Sequence, residues 1–177
     1  MFDEALLSRL LRRALQHGGE YADVFCERRK TVSYRLQDGR IHDASYGVTL
    51  GVGIRVVVGE SAGFASSDDL STEALMEAAD AASLIARSAP AGKTGAAELR
   101  SASVPPFYDR DRVSTSDGDR YAALLERADT TARGYDPRIV AVNAQVIDEV
   151  QEVWIATSEG RMVTDRRPLV TLGIQAV

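Results

Sequence analysis

The stretch from Gly47 to Ala65, GVTLGVGIRVVVGESAGFA, decides the fold. Its first part, Gly47 to Val58, is too apolar and too β-branched for an exposed helix, so it reads as a central strand. Gly59-Glu60 supplies a turn, and Ser61-Ala62-Gly63-Phe64-Ala65 reads as a neighbouring strand returning beside it.

Upstream, Ala22 to Glu27 (ADVFCE) and Thr31 to Leu36 (TVSYRL) mix β-branched and aromatic residues with partial period-two alternation. They predict two consecutive antiparallel strands, and Asp38-Gly39 a hairpin turn into Arg40-Ile41-His42. Before them, Asp3-Glu4 leads an apolar stripe of Leu6, Leu7, Leu10, Leu11, Ala14 and Leu15, closed by His17-Gly18-Gly19: an amphipathic helix. Downstream, Asp68-Asp69-Leu70-Ser71 offers N-caps for a helix over about 71–87, with Leu75, Ala78, Ala82 and Ile85 as its stripe. Its alanine-rich face allows close packing on a sheet.

Between Ser88 and Ser116 periodicity disappears, and Ala89-Pro90-Ala91-Gly92 and Val104-Pro105-Pro106 mark a long connection. Structureless loops of that length are uncommon inside compact domains, so part of it is expected to be mobile or draped over a neighbour. A third helix follows, with Tyr121, Leu124, Leu125, Ala128 and Ala132 as its stripe, Ser116 or Asp117 as its cap and Gly134 at its end. Ile139 to Ile147, Val150 to Thr157, Arg161 to Thr164 and Leu169 to Val177 read as four more strands, with Ser158-Glu159-Gly160 as a turn. The expected class is α+β, with mostly antiparallel sheet or sheets packed against about three helices.

Three landmarks recur in order: Leu10-Leu11-Arg12-Arg13-Ala14 with Leu124-Leu125-Glu126-Arg127-Ala128, Asp38-Gly39-Arg40 with Glu159-Gly160-Arg161, and Val48-Thr49-Leu50-Gly51 with Val170-Thr171-Leu172-Gly173. They suggest two related α-β-β-β-β halves, 1–87 and 117–177, joined by the linker 88–116 within one domain spanning 1–177. Chance likeness of short apolar strings is the alternative. In this register the last strand stops before its counterpart does, so Val177 is expected to lie inside a longer polypeptide.

A length of 177 residues allows one domain with a real core, or two small halves. The formal net charge is −5 with basic residues scattered, which argues against a nucleic-acid or anionic-membrane partner. The densest basic runs, Arg28-Arg29-Lys30 and Arg166-Arg167, read as solvated strand ends rather than phosphate sites. Cys26 is the single cysteine, so it cannot form an intramolecular disulfide, which suits a reducing cytoplasm. The acidic amino terminus is unlike a signal peptide, and no apolar run approaches the roughly 20 residues of a membrane span.

Neither HExxH nor HExxxH occurs, and His17 and His42 fall on different elements without an acidic partner at ligand spacing. Ala91-Gly92-Lys93-Thr94 suggests a phosphate loop, but Arg87 stands where the motif needs its first glycine. Gly51-Val52-Gly53 lacks a third glycine and sits inside a strand pattern, which favours close backbone approach. Cys26 has no evident base, and Asp68-Asp69 reads as capping rather than cation binding. No catalytic or metal-binding residue, and no cofactor, is assigned within this chain.

Read together, Gly18-Gly19-Glu20-Tyr21-Ala22-Asp23-Val24, Gln37-Asp38-Gly39-Arg40, Gly51-Val52-Gly53-Ile54-Arg55-Val56, Ala62-Gly63-Phe64-Ala65-Ser66 and Leu70-Ser71 resemble the start of TldD/PmbA proteins in order and spacing. Ala156-Thr157-Ser158-Glu159-Gly160 and Asp165-Arg166-Arg167-Pro168-Leu169-Val170 resemble the TldD side of that family. The resemblance implies the amino-terminal, non-catalytic domain of a cytoplasmic zinc metallopeptidase that degrades or processes unfolded peptides. It implies work as a dimer, with a TldE/PmbA-like subunit or with itself. The zinc and its HExxxH helix would lie in a carboxy-terminal part absent from this sequence, so this chain is expected to be inactive alone. Its own role would be to wall a peptide channel and form part of a subunit interface. Gly51, Gly53, Arg55, Gly63 and Phe64 are the candidate positions where a peptide backbone comes close. The alternatives are an inactive TldE/PmbA-like subunit, or a stand-alone interaction module whose 88–116 segment docks a partner.

Overall fold

A computed structural model describes residues 2–87, 95–103 and 118–177 of the chain. Among these the expected α+β class forms: three helices and a six-stranded sheet. The phosphate-loop-like Ala91–Thr94, the cap candidates Ser116 and Asp117, and most of the expected linker 88–116 lie outside the described residues.

Helix α1 (Glu4–Leu15) starts where the sequence places it, because the Asp3 carboxylate accepts the Leu6 N–H at 2.7 Å and so satisfies one of the amides a helix start leaves open. Its face of Leu7, Leu10, Leu11, Ala14 and Leu15 is buried. Strands β1 (Tyr21–Gln37), β2 (Arg40–Val58) and β3 (Ser61–Ser67) follow, then α2 (Thr72–Ala86), β4 (Arg100–Ser101), α3 (Gly118–Tyr135), β5 (Val142–Thr157) and β6 (Arg161–Ala176). The sheet order is β3-β2-β1-β5-β6-β4, with β2 and β3 antiparallel and β4 parallel to β6.

The sequence suggests pairs of short strands, whereas the structure has four long ones: 22–27 and 31–36 merge into β1, 40–42 and 47–58 into β2, 139–147 and 150–157 into β5, and 161–164 and 169–177 into β6. Nothing between Glu27 and Thr31 can turn the chain, since Arg28-Arg29-Lys30 contains no glycine, proline or asparagine. Arg28 and Arg29 lie in mid-strand and are paired, not a solvated strand end. Arg28 pairs with Glu152 and Arg29 with Glu149 at 3.3 Å, both from the adjacent β5. Each half of the sequence thus gives a helix followed by two long strands, α1-β1-β2 and α3-β5-β6, rather than four short ones. At the first hairpin Asp38 (φ 47°) and Gly39 (φ 76°) both take left-handed backbone, as a two-residue turn requires.

The residues sort into two compact units, and each long strand contributes to both. The first comprises Met1–Arg28, Thr49–Phe107 and Glu152–Asp165. Its core joins Leu7, Leu10 and Leu11 of α1 to Val24, Ile54, Val56, Leu75 and Ala82. Here α2 differs from expectation. Leu75, Ala78, Ala79, Ala82, Ser83 and Ala86 are buried, while Ile85 is exposed. Only small residues fit against β3, because a Cβ on Gly63 would lie 2.0 Å from the Ala82 carbonyl oxygen.

The described part of the long connection, residues 95–103, belongs to this unit and is tied down. The Ala97 N–H bonds the Ser158 carbonyl (2.8 Å), Arg100 that of Gly160 (2.6 Å) and Ala102 that of Met162 (2.7 Å). Leu99 is buried in the core.

The second unit comprises Arg29–Val48, Tyr108–Gln151 and Arg166–Val177. Its core is small: Leu36, Tyr121, Leu125, Ala144 and Val146, with Tyr34, Leu124 and Ala128 packed against them. The Tyr121 hydroxyl donates to the buried Asp148 carboxylate, and burial together with that bond pushes the phenol up to about 12. No helix among the described residues is long and apolar enough to cross a membrane.

Candidate functional site

Strand parity builds the site. In the first unit the even residues of β1 and β2 (Ala22, Val24, Cys26, Val52, Ile54, Val56, Val58) enter the core, so the odd ones share the opposite face. The antiparallel register Gly53↔Ser66, Arg55↔Phe64, Val56↔Gly63 then places Phe64 and Ser66 of β3 on that same face. Gly51, Gly53, Arg55 and Phe64 are therefore brought together on one open surface.

Gly63 is not among them. It points to the core side, where a Cβ would meet the Ala82 oxygen at 2.0 Å and the Ala86 nitrogen at 2.6 Å. The backbone that approaches it closely is that of helix α2 of its own chain, so here the missing side chain serves packing.

The remaining glycines differ in kind. The Phe64 ring lies over Gly53, with a Cβ there 3.0 Å from Cε2, so the ring covers the backbone that the glycine exposes. Gly51 has open space, its nearest neighbour being the Ser67 oxygen at 3.9 Å. Around Gly51, a shallow groove of about 480 Å³ is lined by Phe25, Glu27, Leu50, Gly53, Phe64, Ser66 and Asp68. Phe64 and Leu50 are exposed. Phe25, Leu50 and Ser66 were not singled out from the sequence, although strand parity alone would have placed Phe25 on this side.

Arg55 does not offer a free charge to the groove. Its guanidinium bonds the Asp23 carboxylate at 2.7 Å and lies 6.0 Å from the Tyr21 ring centroid. The Asp23 bond holds the Arg55 guanidinium further above its usual range, and burial raises the Tyr21 phenol. The surface thus has aromatic and aliphatic groups beside a backbone left bare at Gly51, bordered by an internally paired Arg-Asp-Tyr group. Along it runs β3, the terminal strand of the sheet. Such an arrangement can hold an extended chain by main-chain pairing and apolar contact.

The other chemistry-bearing residues are accounted for locally. Burial pushes the Cys26 thiol up to about 12, so it is not a nucleophile near neutral pH. Asp69 accepts the Ser71 N–H at 2.8 Å and Ser71 caps α2, so Asp69 holds the turn into the helix. That backbone bond lowers the Asp69 carboxyl. His17 sits beside Gln16 at 2.9 Å in the first unit, whereas His42 lies on an exposed part of β2 in the second. Among the described residues no group of three or more His, Cys, Asp or Glu side chains could hold a metal ion.

Residues 22–86 match the family model of PmbA/TldA metallopeptidase domain 1, and residues 106–177 that of the PmbA/TldA metallopeptidase central domain. The chain is 31% identical over 162 residues to a Metalloprotease TldD homolog of Buchnera aphidicola from Schizaphis graminum, covering 91% of this chain and 33% of that protein. It is 31% identical over 165 residues to a Metalloprotease TldD homolog of Haemophilus influenzae, covering 89% and 33%. The chain thus spans about a third of the length of these curated relatives. Among solved structures, a candidate modulator of DNA gyrase from Bacteroides thetaiotaomicron shares the fold with a TM-score of 0.77 at 17% identity, over 98% of this chain and 40% of that one. TldE from Thermococcus kodakarensis does so with a TM-score of 0.63 at 16% identity, over 97% and 42%.

Proposed function

The chain belongs to the PmbA/TldD metallopeptidase family, and from that membership we propose that it supplies the non-catalytic first and central domains of a cytoplasmic TldD-like zinc metallopeptidase acting on unfolded peptides. The observation that carries this reading is the match of residues 22–86 and 106–177 to the first and central domains of the family, over about a third of the length of metalloprotease relatives. This reading puts the zinc and the hydrolytic chemistry in the remaining two thirds of such a protein, and no step of that chemistry is assigned to this chain.

The role of this chain is to present peptide. The border of β3, the terminal strand of the sheet among the described residues, and the face formed by Gly51, Gly53, Phe25 and Phe64 suit an extended substrate of variable sequence, since backbone pairing is indifferent to side chains. The partner is a TldE/PmbA-like subunit or a second copy of the same protein. A second reading, the inactive TldE/PmbA-like subunit, draws on the fold shared with the Thermococcus TldE.

The test is made on the intact gene product. One zinc per chain, cleavage of an unfolded peptide, and slowed amide exchange in β3 when that peptide binds are the expected results. A long product that binds no zinc and cleaves nothing selects the inactive subunit. A reading frame that stops at Val177 overturns both readings in favour of an interaction module.

A further inference from the structure

The open face of the first unit carries a pattern of side chains as well as bare backbone. Phe25, Leu50 and Phe64 give its groove of about 480 Å³ apolar walls, and among the described residues that line it the charged ones are Glu27 and Asp68, both acidic. Phe64 is 61% exposed, so its ring is open to a ligand. Arg55, on the same face, brings no net charge to the groove, because its guanidinium is bound to Asp23 at 2.7 Å and lies 6.0 Å from the Tyr21 ring. The groove therefore joins exposed aromatic surface to carboxylates, a combination that favours a cation with an apolar neighbour.

Spacing sharpens that preference. Phe64 and Ser66 of β3 share one face, and Asp68, just past the end of the strand, lines the same groove. A strand laid beside β3 places alternate side chains next to these residues. We propose that the groove selects extended peptides in which a large apolar residue and a lysine or arginine stand four positions apart, matching Phe64 and Asp68, a proposal that rests on the peptide-presenting reading above. The apolar side chain packs on Phe64 and its apolar neighbours in the wall, and the cation meets Asp68 and Glu27. An acidic side chain at the second position meets two like charges instead.

Main-chain pairing with β3 holds every extended chain alike, so discrimination falls to the lining. Opposite charges on neighbouring strands stabilise, and like charges oppose by a comparable amount. With two carboxylates acting together, exchanging Lys for Glu in the peptide should change its affinity by roughly ten-fold at low salt, and by less at high salt. Parity gives a second mark. Three positions from the apolar residue, the cation stands on the opposite face of the added strand and turns away from the groove.

The experiment uses the full-length gene product and short unfolded peptides of Ser, Thr and Gly carrying one Leu and one Lys, four or three positions apart, with Glu or Gln replacing Lys in the four-apart peptide. Affinities are read by competition against a labelled peptide before cleavage is appreciable, and amide exchange of β3 is followed in the same samples. The expected order is Lys over Gln over Glu at four positions, with Lys at three positions no better than Gln. The double variant E27Q/D68N should bring the Lys-to-Glu ratio close to one, and Asp68→Asn alone, at an exposed position, should lower it part of the way. E73Q/E77Q removes the same charge from exposed positions of α2, which packs on the other side of the sheet, and should leave the ratio as it was. Equal affinities with β3 protected by every peptide overturn the selectivity alone. A ratio that survives E27Q/D68N, or falls equally in E73Q/E77Q, overturns the assignment to this groove. Peptides that bind without slowing β3 exchange overturn the peptide-presenting reading and the selectivity with it.

Discussion

Arg133, near the end of α3, bonds Asp38 of the β1–β2 turn at 3.0 Å while its Nε holds Asp129 at 3.1 Å, so one guanidinium ties the helix to the tip of the hairpin. Asp38 is also the one non-glycine residue with positive φ among the described residues. The fork matters as much as the charge, because Arg133 reaches two carboxylates and the Val140 carbonyl together. Arg133→Ala should lower the melting temperature by a few degrees and speed amide exchange at the 38–39 turn. Arg133→Lys should recover only part of this. An alanine variant with unchanged turn exchange would show that the bridge is ornamental.

Gly63 and Gly51 should separate cleanly on mutation. Gly63→Ala forces a methyl into the Ala82 carbonyl and the Ala86 amide, both backbone, so relief requires moving α2 off the sheet. The expected loss is about 3 kcal/mol or more in chemical unfolding. Gly51→Ala meets nothing closer than 3.9 Å and should fall within about 0.5 kcal/mol of the parent. If Gly51 faces bound peptide, the alanine should weaken peptide binding to the full-length protein without changing its stability. A stable Gly63→Ala variant would refute the packing described for α2.

The same pair shows where sequence reasoning reaches its limit. Helix α1 was legible because its stripe and cap are local: Asp3 and the leucines lie within one window. The long strands were not, because Arg28 and Arg29 look like a solvated end until Glu152 and Glu149 come beside them from more than a hundred residues away. That Gly51, Gly53 and Phe64 share a surface follows only from the register of β2 with β3, which pairs Arg55 with Phe64 and Gly53 with Ser66. Gly63 carries the same signal of close approach as Gly53, and only the packing of α2 reveals that what approaches is the chain's own helix.

Gly160 should report on the tether of residues 97–102. It sits at φ 87°, and a Cβ there would lie 2.4 Å from the Glu98 carbonyl oxygen. Gly160→Ala therefore combines a backbone cost of about 1–2 kcal/mol with a clash against the strand it supports. The expected outcome is protease cleavage within 95–103 at rates far above the parent, because Ala97, Arg100 and Ala102 lose their partners at 158–162. Cleavage unchanged in that segment would mean that the tether is held elsewhere.

Cys26 sets the behaviour at high pH. Burial raises its thiol from 9.0 to about 12, so between those values the unfolded chain has lost a proton that the folded chain keeps. Stability then falls as pH rises, since the unfolded state binds fewer protons. The contribution of the neutral thiol is complete below pH 9 and lost progressively towards about 12, on the order of 4 kcal/mol at the limit. Cys26→Ala removes the titrating group, so its stability should decline less steeply over this window than that of the parent, whatever its stability at neutral pH. In the same window the native thiol should resist alkylation until the protein unfolds, because attack needs the thiolate. Parallel stability curves for parent and variant, or rapid labelling of the folded protein at pH 8, would place the thiol near solvent and contradict its burial in the core of the first unit.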